Sequence, residues 1–292
     1  MYPTLYHFVF DLFGISLPFL KNFNTFGLLV AIAFLVAHAI FTKEIKRKTK
    51  EGLLIEKETS PLEHVNTITL IAIIFGFLGA KIFAWLEDPI PLSIFLSDPF
   101  SGLTIYGGLI TAFLASVFYL KRYKEPILIY MDAVAPALML GYGIGRLGCH
   151  ISGDGDWGIV NNSTAPIWIP KWLWSYNYPN NVLQEGELIS NCIYNDFCYQ
   201  LSTPVYPTPL YESIVSLLLF GILWFLRKKI KTAGLLFFIY VFFNGLERFF
   251  IEKIRVNTLY YIGDFAITQA EIISIFFILI GIIGIVFFRN KT

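Results

Sequence analysis

Charged residues are scarce in this chain. Only 15% of its 292 residues are Asp, Glu, Lys or Arg, whereas 56% are hydrophobic and 17% are aromatic. This apolar content exceeds what one soluble core can bury, so the composition indicates a membrane protein. The net charge of +1 comes from clustered Lys and Arg residues with no free basic surface, which argues against a nucleic-acid partner.

Cysteine is also rare. Three cysteines are too few for a disulfide scaffold, although Cys192 and Cys198 are close enough in sequence to form a local disulfide.

The N-terminal segment MYPTLYHFVFDLFGISLPFL lacks a basic start and a small-residue cleavage site. It therefore predicts a segment at the membrane interface rather than a secretory signal peptide.

Seven apolar segments approach the length of about 20 residues that a membrane-spanning helix needs. They cover residues 25–42, 65–86, 104–120, 127–146, 209–226, 232–250 and 267–288. The sequence thus predicts an all-α polytopic membrane protein with seven transmembrane helices. We expect one membrane-embedded domain over 1–292, with 159–208 as an inserted loop.

The connecting segments predict the orientation, because Lys and Arg accumulate on the cytoplasmic side. Basic runs occur at KEIKRKTKE, KRYKE, RKKIK and RNKT, whereas EDPIPLSIFLSDPFSG has no Lys or Arg and 159–208 has only Lys171. The N-terminus and the loop 159–208 are therefore predicted outside, and the C-terminus in the cytoplasm. The aromatic residues of PIWIPKWLWSYNYPNN favour the membrane interface, while a substrate-capping or receptor-like role stays open.

Several polar residues fall within or at the ends of these spans, where a charge at the helix centre costs about 2.5 kcal/mol or more. They are Lys81, Tyr106, Asp132, Arg146, Glu212, Glu247 and Arg248. Arg146, Arg248, Glu212 and its neighbour Tyr211 lie near outer span ends, so a closed bundle would bring them to one depth. Lys81 and Asp132 are more simply explained by snorkelling or capping.

Two arginines in one cavity would form a phosphate site, because the guanidinium fork matches phosphate oxygens. The alternative is that Arg146 and Arg248 only join helices by pairing with Asp154, Asp156, Glu247 or Glu252. Glu212 and Tyr211 also have simple alternatives, as a helix cap and as part of the aromatic belt. Gly107 and Gly108 open the third span, where they suit either substrate binding or close helix packing.

The run GRLGCHISGDGDWG (145–158) concentrates polar chemistry and glycine. A metal site at Cys149, His150, Asp154 and Asp156 fits no standard spacing. A Cys149 nucleophile would need a base, which an adjacent histidine rarely provides. The favoured interpretation is a lipid headgroup site, in which Arg146 holds phosphate, glycines allow backbone approach, and the aspartates orient hydroxyls or accept a proton.

This run resembles the signature of the prolipoprotein diacylglyceryl transferase family through Gly145, Arg146, Gly148 and Gly158. Further segments resemble the family in the same order: NTFG (24–27), YGGLI (106–110), PLYE (209–212) and ERFFIEKIR (247–255). The chain departs from the family at Tyr106, where the family has His, and at Cys149 and Ser152, where it has Asn. Asp154 or Asp156 replaces the family's glutamate, and His150 is the nearest substitute for the missing histidine.

The resemblance implies transfer of a diacylglyceryl group from phosphatidylglycerol to the lipobox cysteine of a prolipoprotein, in the bacterial cytoplasmic membrane. It implies no cofactor and no metal. The implied catalytic residues are Arg146, Asp154, Asp156, Tyr106, His150 and Arg248, and the implied substrate-binding residues are Gly107, Gly108, Tyr211, Glu212 and Ser152. The partners are phosphatidylglycerol, the prolipoprotein signal peptide and the bilayer. A lipid-binding relative with lost or altered transfer chemistry is the alternative.

Overall fold

The computed structural model describes residues 1–91, 93, 95, 104–194, 196–262 and 265–290. Helices predominate, and we number them in chain order within these residues. They are α1 Leu5–Phe13, α2 Thr25–Lys50, α3 Pro61–Glu87, α4 Ile105–Arg122, α5 Ile127–Ser152, α6 Lys171–Trp174, α7 Thr208–Leu226, α8 Leu235–Glu252 and α9 Gln269–Arg289, with a 3-10 turn at Pro18–Asn22. The all-α class is confirmed.

Each of the seven predicted segments is helical, but the helices differ in length and hydropathy. Five are long and apolar enough to cross a membrane: α2, α3, α5, α7 and α9. The helices α4 and α8 do not meet that criterion, so the count of seven spans stays a prediction. Most of EDPIPLSIFLSDPFSG lies outside the described residues.

Two helices extend beyond their predicted ends. The basic run after residue 42 continues α2 to Lys50, because Lys, Arg and Glu favour helices and Arg47 pairs with Glu44 at 2.8 Å and with Glu51 at 2.7 Å. Helix α5 continues from residue 146 to Ser152. Cys149 and His150 are consequently helical residues.

Local sequence signals define two helix starts. Ser60 and Glu63 form a reciprocal capping box at α3, and Thr268 and Glu271 form another at α9. In each, a hydroxyl and a carboxylate satisfy backbone N–H groups that have no partner within the helix. The described residues also contain two short antiparallel strand pairs: β1 Glu187–Leu188 with β2 Tyr199–Gln200, and β3 Leu259–Ile262 with β4 Phe265–Thr268.

The chain divides into two compact units, one formed by 1–37 with 135–292 and the other by 38–134. In the first unit, Met139, Leu223 and Leu236 of α5, α7 and α8 form a buried core. In the second, Val65, Leu120 and Tyr130 are buried. Many large apolar side chains of the long helices are exposed, as expected where lipid is the solvent. The single domain predicted over 1–292 stays a prediction.

Within the first unit, α1 and the loop 159–208 are joined through a small hairpin. Cys192 and Cys198 form a disulfide, the option that the sequence left open. Tyr194 and Phe197 pack on the ring of His7, with ring centroids at 4.6 and 5.4 Å. The hairpin therefore helps to hold the N-terminal helix.

Candidate functional site

The glycine-rich segment after α5 follows a fixed path. Gly153 and Gly155 have φ of +65° and +95°, a backbone conformation that favours glycine. Gly153 N–H donates to the Cys149 carbonyl at 3.0 Å and ends the helix. A Cβ on Gly158 would lie 2.4 Å from the Ile254 carbonyl oxygen, so only glycine fits where the segment passes the end of α8.

This path places Asp156 beside the start of α7 and the segment that follows α8. Thr208, the first residue of α7, donates its hydroxyl to the Asp156 carbonyl at 2.8 Å. Ile159 N–H donates to the Ile254 carbonyl at 2.9 Å, next to Arg255. The Asp156 carboxylate consequently contacts both Arg146 and Arg255.

Three arginines and three carboxylates form one ion-pair network, which we call the arginine cluster. Its members are Arg146, Arg248, Arg255, Asp156, Glu212 and Glu252. Glu212 is fully buried and is the centre of the cluster, because it contacts all three arginines. Its Oε1 lies 3.1 Å from Arg255 Nη1 and 3.4 Å from Arg248 Nη1.

Further contacts of the cluster involve neighbouring side chains on α5 and α8. Arg248 Nη2 lies 3.0 Å from Glu252 Oε2, one turn further along α8. Tyr142, one turn before Arg146, donates its hydroxyl to Glu212 Oε2 at 3.3 Å, and its ring lies 5.6 Å from the Arg146 guanidinium carbon. The cluster thus joins α5, α7 and α8. Asp156 and Glu252 are partners that the helix-joining alternative named, whereas Glu212 is a partner that it did not name.

Two guanidinium groups keep donors that are not used inside the cluster. The Nε atoms of Arg248 and Arg255 are buried, and no described residue accepts a hydrogen bond from either. Buried donors without acceptors are rare and call for an explanation. An anionic ligand with several oxygen acceptors would satisfy them.

Electrostatics differ between the two aspartates. Burial raises the pKa of Asp156, but the charges of Arg146 and Arg255 outweigh burial and hold this pKa below its usual value. For Asp154, burial dominates and raises the pKa. Asp156 is thus fixed as an ionised partner of the arginines, while Asp154 is the carboxylate better suited to exchange a proton.

Cys149, Asp154 and Asp156 have ligand atoms within 4.8 Å of one another. A cation there would lie beside Arg146 and Arg255, which already neutralise Asp156. Asp154 Oδ1 accepts the Asp156 N–H at 3.3 Å, a local turn that needs no ion. These contacts do not favour metal binding by the three residues.

The other predicted residues of the first unit have local roles. His150 Nδ1 lies 3.2 Å from the Tyr178 hydroxyl, its ring packs against Tyr176 and Tyr178, and no hydrogen bond among the described residues joins it to an arginine or aspartate. Ser152 donates to the Cys149 carbonyl at 3.3 Å. Tyr211 donates to the Leu173 carbonyl at 2.6 Å, which fixes the loop to the start of α7.

Tyr106, Gly107 and Gly108 belong to the second unit, in the first turn of α4. A Cβ on Gly107 would lie 2.3 Å from Phe83 Cβ, and one on Gly108 would lie 2.7 Å from the Gly76 carbonyl oxygen. Both glycines therefore allow close packing of α4 on α3. Tyr106 is half-buried in the same turn.

Sequence reasoning missed two members of this site. Arg255 lies outside the predicted spans, but it ends the quoted ERFFIEKIR run, seven residues after Arg248. A helix continued through this run would bring both side chains to one face, and this spacing was the available signal, although Arg255 itself lies just beyond the end of α8. Tyr142 precedes Arg146 by one helical turn and gives the same kind of signal.

The fold and the site define a polytopic membrane protein with a buried arginine cluster suited to an anionic ligand. The family model described as prolipoprotein diacylglyceryl transferase matches residues 14–287. The chain therefore belongs to the prolipoprotein diacylglyceryl transferase family and is a membrane-embedded transferase.

Relatives named phosphatidylglycerol--prolipoprotein diacylglyceryl transferase agree with this assignment. The Leptospira interrogans serogroup Icterohaemorrhagiae protein (serovar copenhageni) is 29% identical over 265 residues, covering 80% of this chain and 72% of the relative. The Clostridium novyi protein is 28% identical over 281 residues, covering 95% and 93%. The Staphylococcus carnosus protein is 30% identical over 276 residues, covering 91% and 86%.

Proposed function

We propose that this chain transfers the diacylglyceryl group of phosphatidylglycerol to the lipobox cysteine thiol of prolipoproteins. Family membership supports the reaction, and the arginine cluster is the structural observation that carries it. In this reaction the thiol sulfur forms a bond to the glycerol carbon of the diacylglyceryl group. The bond from that carbon to the phosphate oxygen breaks, and glycerol phosphate leaves.

The three arginines bind the phosphodiester and stabilise the charge that grows on the leaving phosphate. Arg248 and Arg255 supply the Nε donors that lack acceptors among the described residues. Arg146 supplies a third charge, held in place by Asp156 and Glu212. Guanidinium groups suit this task because they stay charged in a low-dielectric site.

Asp154 accepts the proton of the attacking thiol. Burial raises its pKa and makes its carboxylate a stronger base than an exposed aspartate. The residue follows Arg146 by two helical turns and a glycine turn, so base and phosphate site share one segment. In this proposal His150 orients the aromatic loop residues, and Ser152 and Tyr211 support the site. Within the second unit, Tyr106 with Gly107 and Gly108 contacts lipid at the start of α4.

The protein is proposed to lie in the bacterial cytoplasmic membrane with seven spans, the N-terminus outside and the C-terminus inside. The distribution of Lys and Arg supports this orientation. So does the Cys192–Cys198 disulfide, because disulfides persist in oxidising compartments. The site would then open to the outer leaflet, where exported prolipoproteins present their lipobox.

The test is transfer from phosphatidylglycerol to a fluorescent lipobox peptide by the purified protein in vesicles. The wild-type protein should label the peptide, and Arg146→Ala or Arg248→Ala should reduce kcat about 100-fold or more. Arg146→Lys keeps the charge but loses the guanidinium fork, so it should also be impaired. The matched control is Arg47→Ala, which removes an ion-paired arginine of α2 and should keep the wild-type rate.

Two results would contradict the proposal. Full-rate transfer by a folded Arg146→Ala protein would remove the phosphate role of the cluster. A folded, inserted wild-type protein that neither labels the peptide nor restores lipidation in cells depleted of their resident transferase would favour the lipid-binding alternative. The substitutions at Tyr106 and Cys149 are the observations that favour that alternative.

A further inference from the structure

Glu247 is a buried carboxylate that the arginine cluster leaves without a hydrogen bond. Its side chain belongs to α8, it is 8% exposed, and neither carboxylate oxygen has a partner in hydrogen-bond geometry among the described residues, although the Tyr142 hydroxyl lies close by. Leaving a buried carboxylate without partners costs several kcal/mol. Such a residue is retained when a ligand supplies the missing donors.

The neighbouring groups are already committed to other partners. Arg146, Arg248 and Arg255 contact Asp156, Glu212 and Glu252. The Tyr142 hydroxyl donates to Glu212 at 3.3 Å. Glu247 interacts electrostatically with Arg146, Arg248 and Arg255, so its two oxygen acceptors lie near the buried Nε donors of Arg248 and Arg255, which have no acceptor among the described residues.

Unused acceptors on Glu247 and unused Nε donors on the arginines together match a ligand that carries both a phosphodiester and hydroxyl groups. A phosphodiester accepts hydrogen bonds, and a glycerol esterified to it carries two adjacent hydroxyl donors. A carboxylate can accept both hydroxyls at once, one on each oxygen. The aspartates are less suited, since Asp156 is held by two arginines and Asp154 accepts a backbone N–H.

We infer that Glu247 is a specificity-determining residue that binds the two hydroxyls of the glycerol headgroup while the arginines bind its phosphate. The inference rests on the proposed function and adds to it the basis of donor choice. A site built to bind hydroxyls rejects analogues that lack them, because its buried polar groups would then stay unpaired. Phosphodiester lipids with an apolar headgroup should therefore be poor donors.

The experiment compares phosphatidylglycerol with phosphatidylpropanol, which has the same phosphodiester charge and lacks both hydroxyls. Each lipid is diluted into phosphatidylcholine vesicles with the purified full-length protein, and kcat/KM for transfer to a lipobox peptide is measured. Wild-type protein should prefer phosphatidylglycerol by about 100-fold or more. Glu247→Gln and Glu247→Leu should each reduce this ratio at least about tenfold, mainly by slowing transfer from phosphatidylglycerol.

Glu271→Gln is the matched control, because Glu271 is a buried capping glutamate of α9 paired with Lys253 outside the cluster. It should leave the ratio unchanged. A second readout is the rise in melting temperature that each lipid produces in detergent, which needs no turnover. Phosphatidylglycerol should stabilise wild type more than phosphatidylpropanol does, and the two Glu247 variants should lose that difference.

The outcomes separate the inference from the proposed function. Equal loss of rate with both lipids in the Glu247 variants, or a wild-type protein that does not distinguish the lipids in either readout, would overturn the inference while transfer persists. Absence of transfer by wild type with a preserved difference in melting temperature would overturn the proposed reaction and keep the headgroup recognition.

Discussion

At the residue scale, the two aspartates of the GDGDWG run have different environments although they lie two positions apart. Asp156 contacts Arg146 and Arg255, which lower its pKa against the effect of burial. Asp154 has a raised pKa because burial disfavours its charge. Two carboxylates whose pKa values are moved in opposite directions commonly divide the roles of fixed charge and proton acceptor.

We expect the transfer rate to fall on acidification as Asp154 becomes protonated, because only its ionised form accepts the thiol proton. Its raised pKa places this fall at a higher pH than an exposed aspartate would. Asp154→Asn should lower the rate about 100-fold or more and remove this acidic limb. The measurement is the pH dependence of kcat with a lipobox peptide, and an unchanged acidic limb in the variant would show that another group accepts the proton.

At the scale of elements, the disulfide hairpin connects the loop 159–208 to α1. Asp196 lies 3.1 Å from Nε2 of the fully buried His7 and 3.0 Å from Nζ of Lys21. Because the disulfide closes the hairpin, it keeps Tyr194, Asp196 and Phe197 positioned against the histidine. The local cross-link is small, but its effect reaches the N-terminal helix.

Replacing both Cys192 and Cys198 with Ser should destabilise the docked hairpin by about 2 kcal/mol, the entropic value for so short a loop. We expect faster amide hydrogen exchange at residues 4–13 and 187–200, with little change in α9. A reductant should produce the same change in wild type and none in the double variant. If wild type exchanges at the same rate with and without reductant, the disulfide does not hold α1.

At the scale of the whole molecule, the basic segments and the aromatic loop predict opposite sides of the membrane. The run after α2 is rich in Lys and Arg, whereas the loop 159–208 has only Lys171. In that loop Trp168 is 81% exposed, as a ring at the membrane interface would be. The orientation decides whether the arginine cluster meets exported substrates.

Single substitutions Trp168→Cys, Glu56→Cys and Lys231→Cys should test the orientation in intact cells. A membrane-impermeant maleimide should label the first without permeabilisation and the other two only after it, because the basic loops face the cytoplasm. The native cysteines give a low background, since Cys149 is buried and the other two are bonded. Labelling of Glu56→Cys in intact cells would reverse the predicted topology.

The sequence by itself determined the class of protein and much of the site. The hydropathy and length of the apolar runs predicted where the helices lie, because both are local properties of the sequence that decide whether a segment can span lipid. The GRLG and ERFFIEKIR segments pointed to the family, and the rarity of charge within apolar runs pointed to Arg146, Arg248 and Glu212. The predicted ends of the helices were less accurate, because α2 and α5 continue into polar sequence that still favours a helix.

Only the tertiary structure decided which charges meet. Asp156 and Arg255 are 99 residues apart in sequence, and the contact depends on the path that Gly158 allows past Ile254. The structure likewise placed His150 among tyrosines and left Glu247 without a partner in hydrogen-bond geometry among the described residues. Sequence patterns record which residues share a helix face, whereas pairing between helices depends on side-chain direction and loop course, which no local pattern encodes.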